Sequence, residues 1–367
     1  ATLSGNVKKD NFYAKVRNFD SARQAALFNN HIPEEVYDNL VEAINDKLSL
    51  LHRYTELRKK VLGVDELHMY DLYTPLVAEV DMKVPYEKAK EYVLKGLEPL
   101  GGEYQSILQE AFENRWIDVE ENQGKRSGAY SSGAYGTNPY ILMNWQDNIN
   151  NTFTLAHELG HSVHSYYTRK NQPYRYGNYS IFVAEVASTT NEALLNDYLL
   201  KNVQDENEKT YILNYFLEGF RRTVFRQTMF AEFEHEIHIR AQNGEALTAD
   251  TLTEIYYDLN KKYYGPAVVS DEEIGLEWAR IPHFYYNYYV YQYATGYSAA
   301  TSLAKQILDE GQPAVDRYIN FLKAGSSDYP IEVLKRAGVD MNSKQPILAA
   351  LDVFEEKLNE MEKLLLG

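Results

Sequence analysis

The chain has 367 residues, 44% of them hydrophobic, enough for one large domain or two smaller ones with a real core. Its 53 acidic against 37 basic residues give a net charge of -16, which disfavours nucleic acid and anionic membrane as partners. Cysteine is absent, which excludes disulfides and thiol chemistry and leaves His and carboxylates to hold any metal.

No apolar run of about 18 residues occurs, so nothing reads as a membrane span. No signal-peptide pattern is seen, and a cytoplasmic protein is the default expectation. The chain opens Ala1-Thr2-Leu3-Ser4 without an initiator Met.

In chain order, residues 12–29 read as helix. Residues 34–62 follow with apolar positions at helical spacing (Val36, Leu40, Ala43, Ile44, Leu48, Leu51), and Pro33 suits the first turn. Residues 86–116 repeat the pattern between Pro85 and Trp116. Residues 117–146 differ: Gly124, Gly128, Gly133 and Gly136 alternate with Tyr130, Tyr135 and Tyr140, and Tyr140–Met143 reads as a short strand. This stretch is either a loop with one hairpin or an edge strand that pairs with an extended peptide, with Gly133, Ala134 and Tyr135 beside the peptide backbone. Helical periodicity resumes at 181–201, 205–243, 248–263, 283–309, 312–324 and 346–366. The expectation is one mainly α domain over 1–367. It comprises a helical part (1–116), a small β part (117–146) beside the helix expected to carry residues 157–161, and a second helical part (147–367).

The chemistry is concentrated in His157-Glu158-Leu159-Gly160-His161. On a helix, positions i and i+4 share a face one turn apart, so both imidazoles can bind one metal ion. Glu158 can then reach a metal-bound water as a general base. The bare pattern also arises by chance on surface helices. Here Phe153, Leu155, Val163 and Tyr166 flank it with apolar residues, and Asn150-Asn151-Thr152 offer N-cap residues.

A catalytic zinc needs a third protein ligand. The metzincin extension is excluded, because position 164 is His and position 167 is Tyr. Glu185 lies in the apolar stretch Ile181–Ser188, where a carboxylate needs a cation or donor, and its small neighbours Ala184, Ala187 and Ser188 allow tight packing. Two turns on, Glu192 is either a solvated helix charge or the partner that orients a ligand His. His164 reads as a packed His behind the site, and His235 and His238 as a structural pair. One Zn²⁺ held by two His and a Glu, on a multi-helical zincin of the gluzincin type, is the resulting expectation. In the aromatic run after Arg280, Tyr288 and Tyr291 fall three apart, on one face of the expected helix. They are either core or oxyanion donors, and Tyr285 is a candidate substrate contact.

These segments together resemble oligoendopeptidase F, in the thimet oligopeptidase-like M3 metallopeptidases. The resemblance rests on 157–161, Glu185–Glu192, 283–297 and the closing stretch 325–340, and runs over nearly the whole chain. It implies a zinc endopeptidase cutting short unfolded peptides in the cytoplasm, with His157, His161 and Glu185 as ligands and Glu158 as base. It also implies that His283, Tyr288 and Tyr291 stabilise the transition state. Members of the family carry a longer N-terminal lobe that completes a channel, so this chain is expected to be the catalytic portion, with that lobe or self-association completing it. An exopeptidase and a zinc-retaining peptide-binding module are the rival readings.

Overall fold

The computed structural model describes residues 1–76 and 82–367. Its helices are α1 (Thr2–Val16), α2 (Ala22–Phe28), α3 (Glu34–Asp46), α4 (Leu48–Leu62), α5 (Tyr86–Gly96), α6 (Gly101–Glu113), α7 (Ile149–Asn171), α8 (Ile181–Asn202), α9 (Glu206–Phe220), α10 (Arg226–Gln242), α11 (Ala249–Tyr264), α12 (Tyr291–Glu310), α13 (Gln312–Ala324), α14 (Pro330–Ala337) and α15 (Gln345–Leu366). Its strands are short: β1 (Leu67–His68), β2 (Ile117–Asp118), β3 (Tyr130–Ser132), β4 (Tyr140–Leu142) and β5 (Val268–Val269). The mainly α expectation holds. Among the described residues no helix is long and apolar enough to cross a membrane.

Several elements differ from the periodicity reading, each for a local reason. The helix expected at 12–29 is two: α1 starts at Thr2, and α2 starts after Ser21, whose side chain accepts the Gln24 amide. Asp10 occupies an inward position of α1 with Leu3, Val7 and Ala14, which breaks the apolar stripe. Residues 34–62 divide at Lys47. Residues 86–116 divide at a 3-10 turn over Glu98–Leu100, where Pro99 removes an amide donor. Residues 205–243 continue through one π turn, Arg221–Phe225, between α9 and α10. The expected helix at 283–309 starts only at Tyr291, so Tyr288 and Tyr291 do not share a helical face. Asn148 caps α7, two residues before the expected cap.

Two units emerge that cut across the three consecutive stretches read from the sequence: 1–78 with 217–295 and 342–367, and 79–216 with 296–341. In the first, the inward face of α3 (Val36, Tyr37, Leu40, Ala43, Ile44) packs on α10 and on α15, whose Phe354, Leu358 and Met361 are buried. Its core holds charge as well. Arg58 and Arg221 are almost wholly buried and converge on Glu218, which Arg221 meets at 2.7 Å and Arg58 at 3.4 Å. Strands β1 and β5 pair in parallel.

In the second unit α7 and α8 pack on each other, with α5 and α13 against them. Apolar side chains surround α8 on all sides, the pattern of a helix enclosed by neighbours. A three-stranded sheet, ordered β2-β4-β3, lies beside α7; β2 runs parallel and β3 antiparallel to β4. The strand read from Tyr140–Met143 is β4 at its centre.

Candidate active site

Helix α7 starts cleanly because the Asn148 side chain accepts the Asn151 amide at 2.8 Å. Ser180 does the same for α8 through the Phe182 amide. The two helices cross at the motif itself. A Cβ on Gly160 would lie 2.5 Å from the Ser188 Cα and 2.8 Å from the Ala187 carbonyl oxygen, so only hydrogen fits there. Below the crossing, the buried Asn191 amide donates to the Ala156 carbonyl at 3.0 Å and accepts from the Tyr104 hydroxyl at 2.8 Å. This fixes α8 against the backbone one residue before His157.

That contact brings three side chains together. His157 Nε2 and His161 Nε2 are 3.1 Å apart, and Glu185 Oε2 lies 3.3 Å from the first and 3.4 Å from the second. A tetrahedral ion with bonds of about 2.0–2.1 Å spaces its ligand atoms about 3.3–3.4 Å apart, so the triangle fits zinc. His157 Nδ1 lies 2.6 Å from Glu192 Oε1. Donation to that carboxylate puts the proton on Nδ1 and turns the Nε2 lone pair toward the other two groups. Burial opposes both charges, yet the imidazoles hold Glu185 well below the usual carboxylate range while Glu185 and Glu192 raise His157. With both imidazoles neutral, these two nitrogens and one carboxylate oxygen make a donor set that a divalent cation completes.

Glu158, next to His157, is buried, and its Oε2 has no hydrogen-bond partner among the described residues. Burial raises its carboxyl above the ordinary range, against the pull of His157, His161 and the Ser131 amide. His164 lies flat on Tyr179, with ring centroids 3.7 Å apart, and burial pushes it down to about 3. It packs behind the motif as a neutral ring.

Strand β3 is one of the two outer strands of the small sheet, and Ser131 joins it to α7 through Ser162, hydroxyl to hydroxyl at 2.8 Å. The edge expected to receive a peptide therefore falls at Tyr130–Ser132, just before Gly133. Gly133 is close to its own hairpin and to Arg169: a Cβ there would meet Arg169 Nη1 at 2.9 Å. Ala134 closes a turn with Thr137, and the Tyr135 hydroxyl donates to the Gln172 carbonyl at 2.9 Å.

The His–Tyr segment belongs to the other unit. Pro282–Tyr285 forms a 3-10 turn, and α12 starts at Tyr291. Between them Tyr288 takes φ 52°, a left-handed conformation that costs a bulky residue roughly 1–3 kcal/mol. Its amide donates to Glu234 Oε1 at 2.7 Å, and its hydroxyl lies 3.0 Å from His235 Nδ1. Tyr288 and Tyr291 are both buried around Tyr37. The hydroxyl near His283 is that of Tyr293, 3.4 Å from Nε2, with the Tyr289 hydroxyl 3.5 Å further along. Tyr285 and Tyr286 are exposed. The sequence reading missed Gly160, Tyr289, Tyr293 and Glu234. Gly160 stands inside the motif beside small residues on α8, which was the available signal; the others depend on where the chain leaves helical geometry.

The model of peptidase family M3 matches residues 1–353. The chain is 74% identical over 365 residues to oligopeptidase PepF of Bacillus subtilis, covering 100% of this chain and 54% of that protein. It is 54% identical over 363 residues to group B oligopeptidase PepB of Streptococcus agalactiae, covering 99% of this chain and 60% of that one. The crystal structure of oligoendopeptidase-F from Enterococcus faecium superimposes with a TM-score of 0.81 at 48% identity, over 99% of this chain and 59% of that chain. The chain thus spans a little over half the length of these relatives. It belongs to peptidase family M3.

Proposed function

We propose that this chain carries the catalytic centre of a zinc-dependent endopeptidase that hydrolyses internal bonds of short, unfolded oligopeptides in the cytoplasm. The observation that supports it best is the triangle of His157, His161 and Glu185, whose ligand atoms lie 3.1–3.4 Å apart. One zinc ion held by these three supplies Lewis acidity for water and for the scissile carbonyl. Glu192 holds His157 in the tautomer that offers Nε2. Glu158 takes a proton from the attacking water and passes it to the leaving amine. Burial raises its carboxyl above the ordinary range, the direction that favours a general base. The outer edge of β3 aligns the peptide as an added strand, with Gly133, Ala134 and Tyr135 shaping the turn beyond it and Tyr285 contacting side chains. His283, Tyr288 and Tyr291, by the family resemblance, and Tyr293, by its place next to His283, donate to the oxyanion, the tyrosines as neutral phenols.

The test is zinc content measured together with turnover of an end-blocked, internally quenched peptide. Glu158→Gln keeps one zinc per chain and lowers kcat by about 10²–10⁴-fold. A Gln variant that turned over at the parent rate would remove Glu158 from the mechanism. Failure to cut end-blocked peptides alongside cleavage of free ones would favour an exopeptidase. Zinc binding without any turnover would favour a binding module.

A further inference from the structure

The left-handed turn at Tyr288 has a specific counterpart. Glu234 on α10 is fully buried, and one of its oxygens accepts the Tyr288 amide at 2.7 Å. Its other oxygen has no partner among the described residues. The next residue on the same helix, His235, meets the Tyr288 hydroxyl at 3.0 Å. Backbone and side chain of one strained tyrosine are therefore both tied to consecutive residues of α10. A tyrosine in this conformation persists only where its surroundings over-determine it. This one lies between the 3-10 turn that carries His283 and the first turn of α12, which carries Tyr291 and Tyr293.

We propose that Glu234 is a positioning residue: by holding the Tyr288 amide it keeps the turn left-handed and so sets the direction in which His283, Tyr289 and Tyr293 are presented. The inference rests on the reading that this segment serves the reaction. Relaxing Tyr288 to an ordinary negative φ rotates the peptide planes on either side of it. The approach of Tyr293 to His283 at 3.4 Å is then lost. What the turn needs from residue 234 is reach and an acceptor oxygen, not charge.

Gln keeps the reach and an acceptor, Asp keeps the carboxyl but is one methylene short, and Leu keeps neither. Hydrogen–deuterium exchange of the segment 286–290 reads the turn without reference to activity, while kcat and KM on a quenched peptide read its consequence. Glu234→Gln is expected to retain amide protection and kcat. Glu234→Asp and Glu234→Leu are expected to lose protection and to lower kcat about tenfold or more, with KM and zinc content little changed. If Leu does not fold, the Asp and Gln pair carries the test. Protection retained in both Asp and Leu overturns the clamp. Protection lost with kcat unchanged leaves the clamp standing but overturns the reading that the segment is catalytic, and with it the positioning role.

Discussion

Gly160 and Ser188 pass so close that a Cβ on the glycine would lie 2.5 Å from the serine Cα. This contact sets the distance between α7 and α8, and with it the reach of Glu185 toward the two imidazoles. Glu185 Oε2 sits 3.3 Å and 3.4 Å from them, leaving little tolerance for a shift of one helix. Gly160→Ala is therefore expected to push the helices apart, lower zinc affinity at least about tenfold and cost about 1–3 kcal/mol of stability. Competition with a chelator of known affinity and urea unfolding measure the two effects. Parent-like zinc affinity in a folded Ala variant would show that the crossing does not set the ligand geometry.

The Glu192 contact leads to a second expectation. At 2.6 Å from His157 Nδ1, Glu192 fixes that imidazole's orientation from behind. Glu192→Ala is expected to weaken zinc binding about 10–100-fold while Glu158 remains in place. Activity should then return as zinc is raised, which separates this variant from Glu158→Gln, whose activity no amount of metal restores. An Ala variant that needs no extra zinc would make Glu192 an ordinary helix charge.

How much of this was legible in the sequence follows from the range of each signal. The candidate ligand residues could be read because binding a metal calls for local spacing: one helical turn between His157 and His161, and a carboxylate stranded among apolar neighbours at Glu185. The mainly helical fold could be read because periodicity is also local. Where the readings failed, a single residue overrode the pattern. Asp10 replaced an apolar position in α1, Pro99 cut a helix, and the left-handed Tyr288 ended helical geometry inside a run of aromatics. The partner that supports Tyr288, Glu234, is 54 residues away in sequence, a separation to which no periodicity is sensitive.

The buried charges of the first unit allow a separate stability test. Glu218 accepts from Arg221 at 2.7 Å and from the Tyr54 hydroxyl at 2.6 Å, with Arg58 at 3.4 Å; both arginines are nearly inaccessible. Removing the carboxylate leaves two guanidinium groups without their shared anion. Glu218→Ala is expected to destabilise the chain by about 3–5 kcal/mol, read as a lower urea midpoint at unchanged slope. A loss below about 1 kcal/mol would mean that water reaches the arginines and compensates them.

Glu234 links the Tyr288 turn to pH. Burial pushes its carboxyl up to about 8, the Tyr288 amide pulls the other way, and Asp10 adds to the rise. Tyr37, Tyr291 and His238 also lie near it, the phenols neutral in this range. A glutamate in the unfolded chain titrates near 4.3. Between about 4.3 and 8 the native state therefore keeps a proton that the unfolded chain has released. Stability must then fall as pH rises through this window and level off above it. Glu234→Gln, which cannot ionise, removes that slope while keeping an acceptor for the Tyr288 amide. The Tm of the variant minus that of the parent is expected to increase steadily from pH 5 to pH 8, reaching the equivalent of roughly 1 kcal/mol or more. Titrations common to both proteins cancel in the difference. A difference that stayed flat across this window would mean that Glu234 ionises in the folded chain as readily as in the unfolded one, and that an anion, rather than a neutral carboxyl, holds the Tyr288 turn at neutral pH.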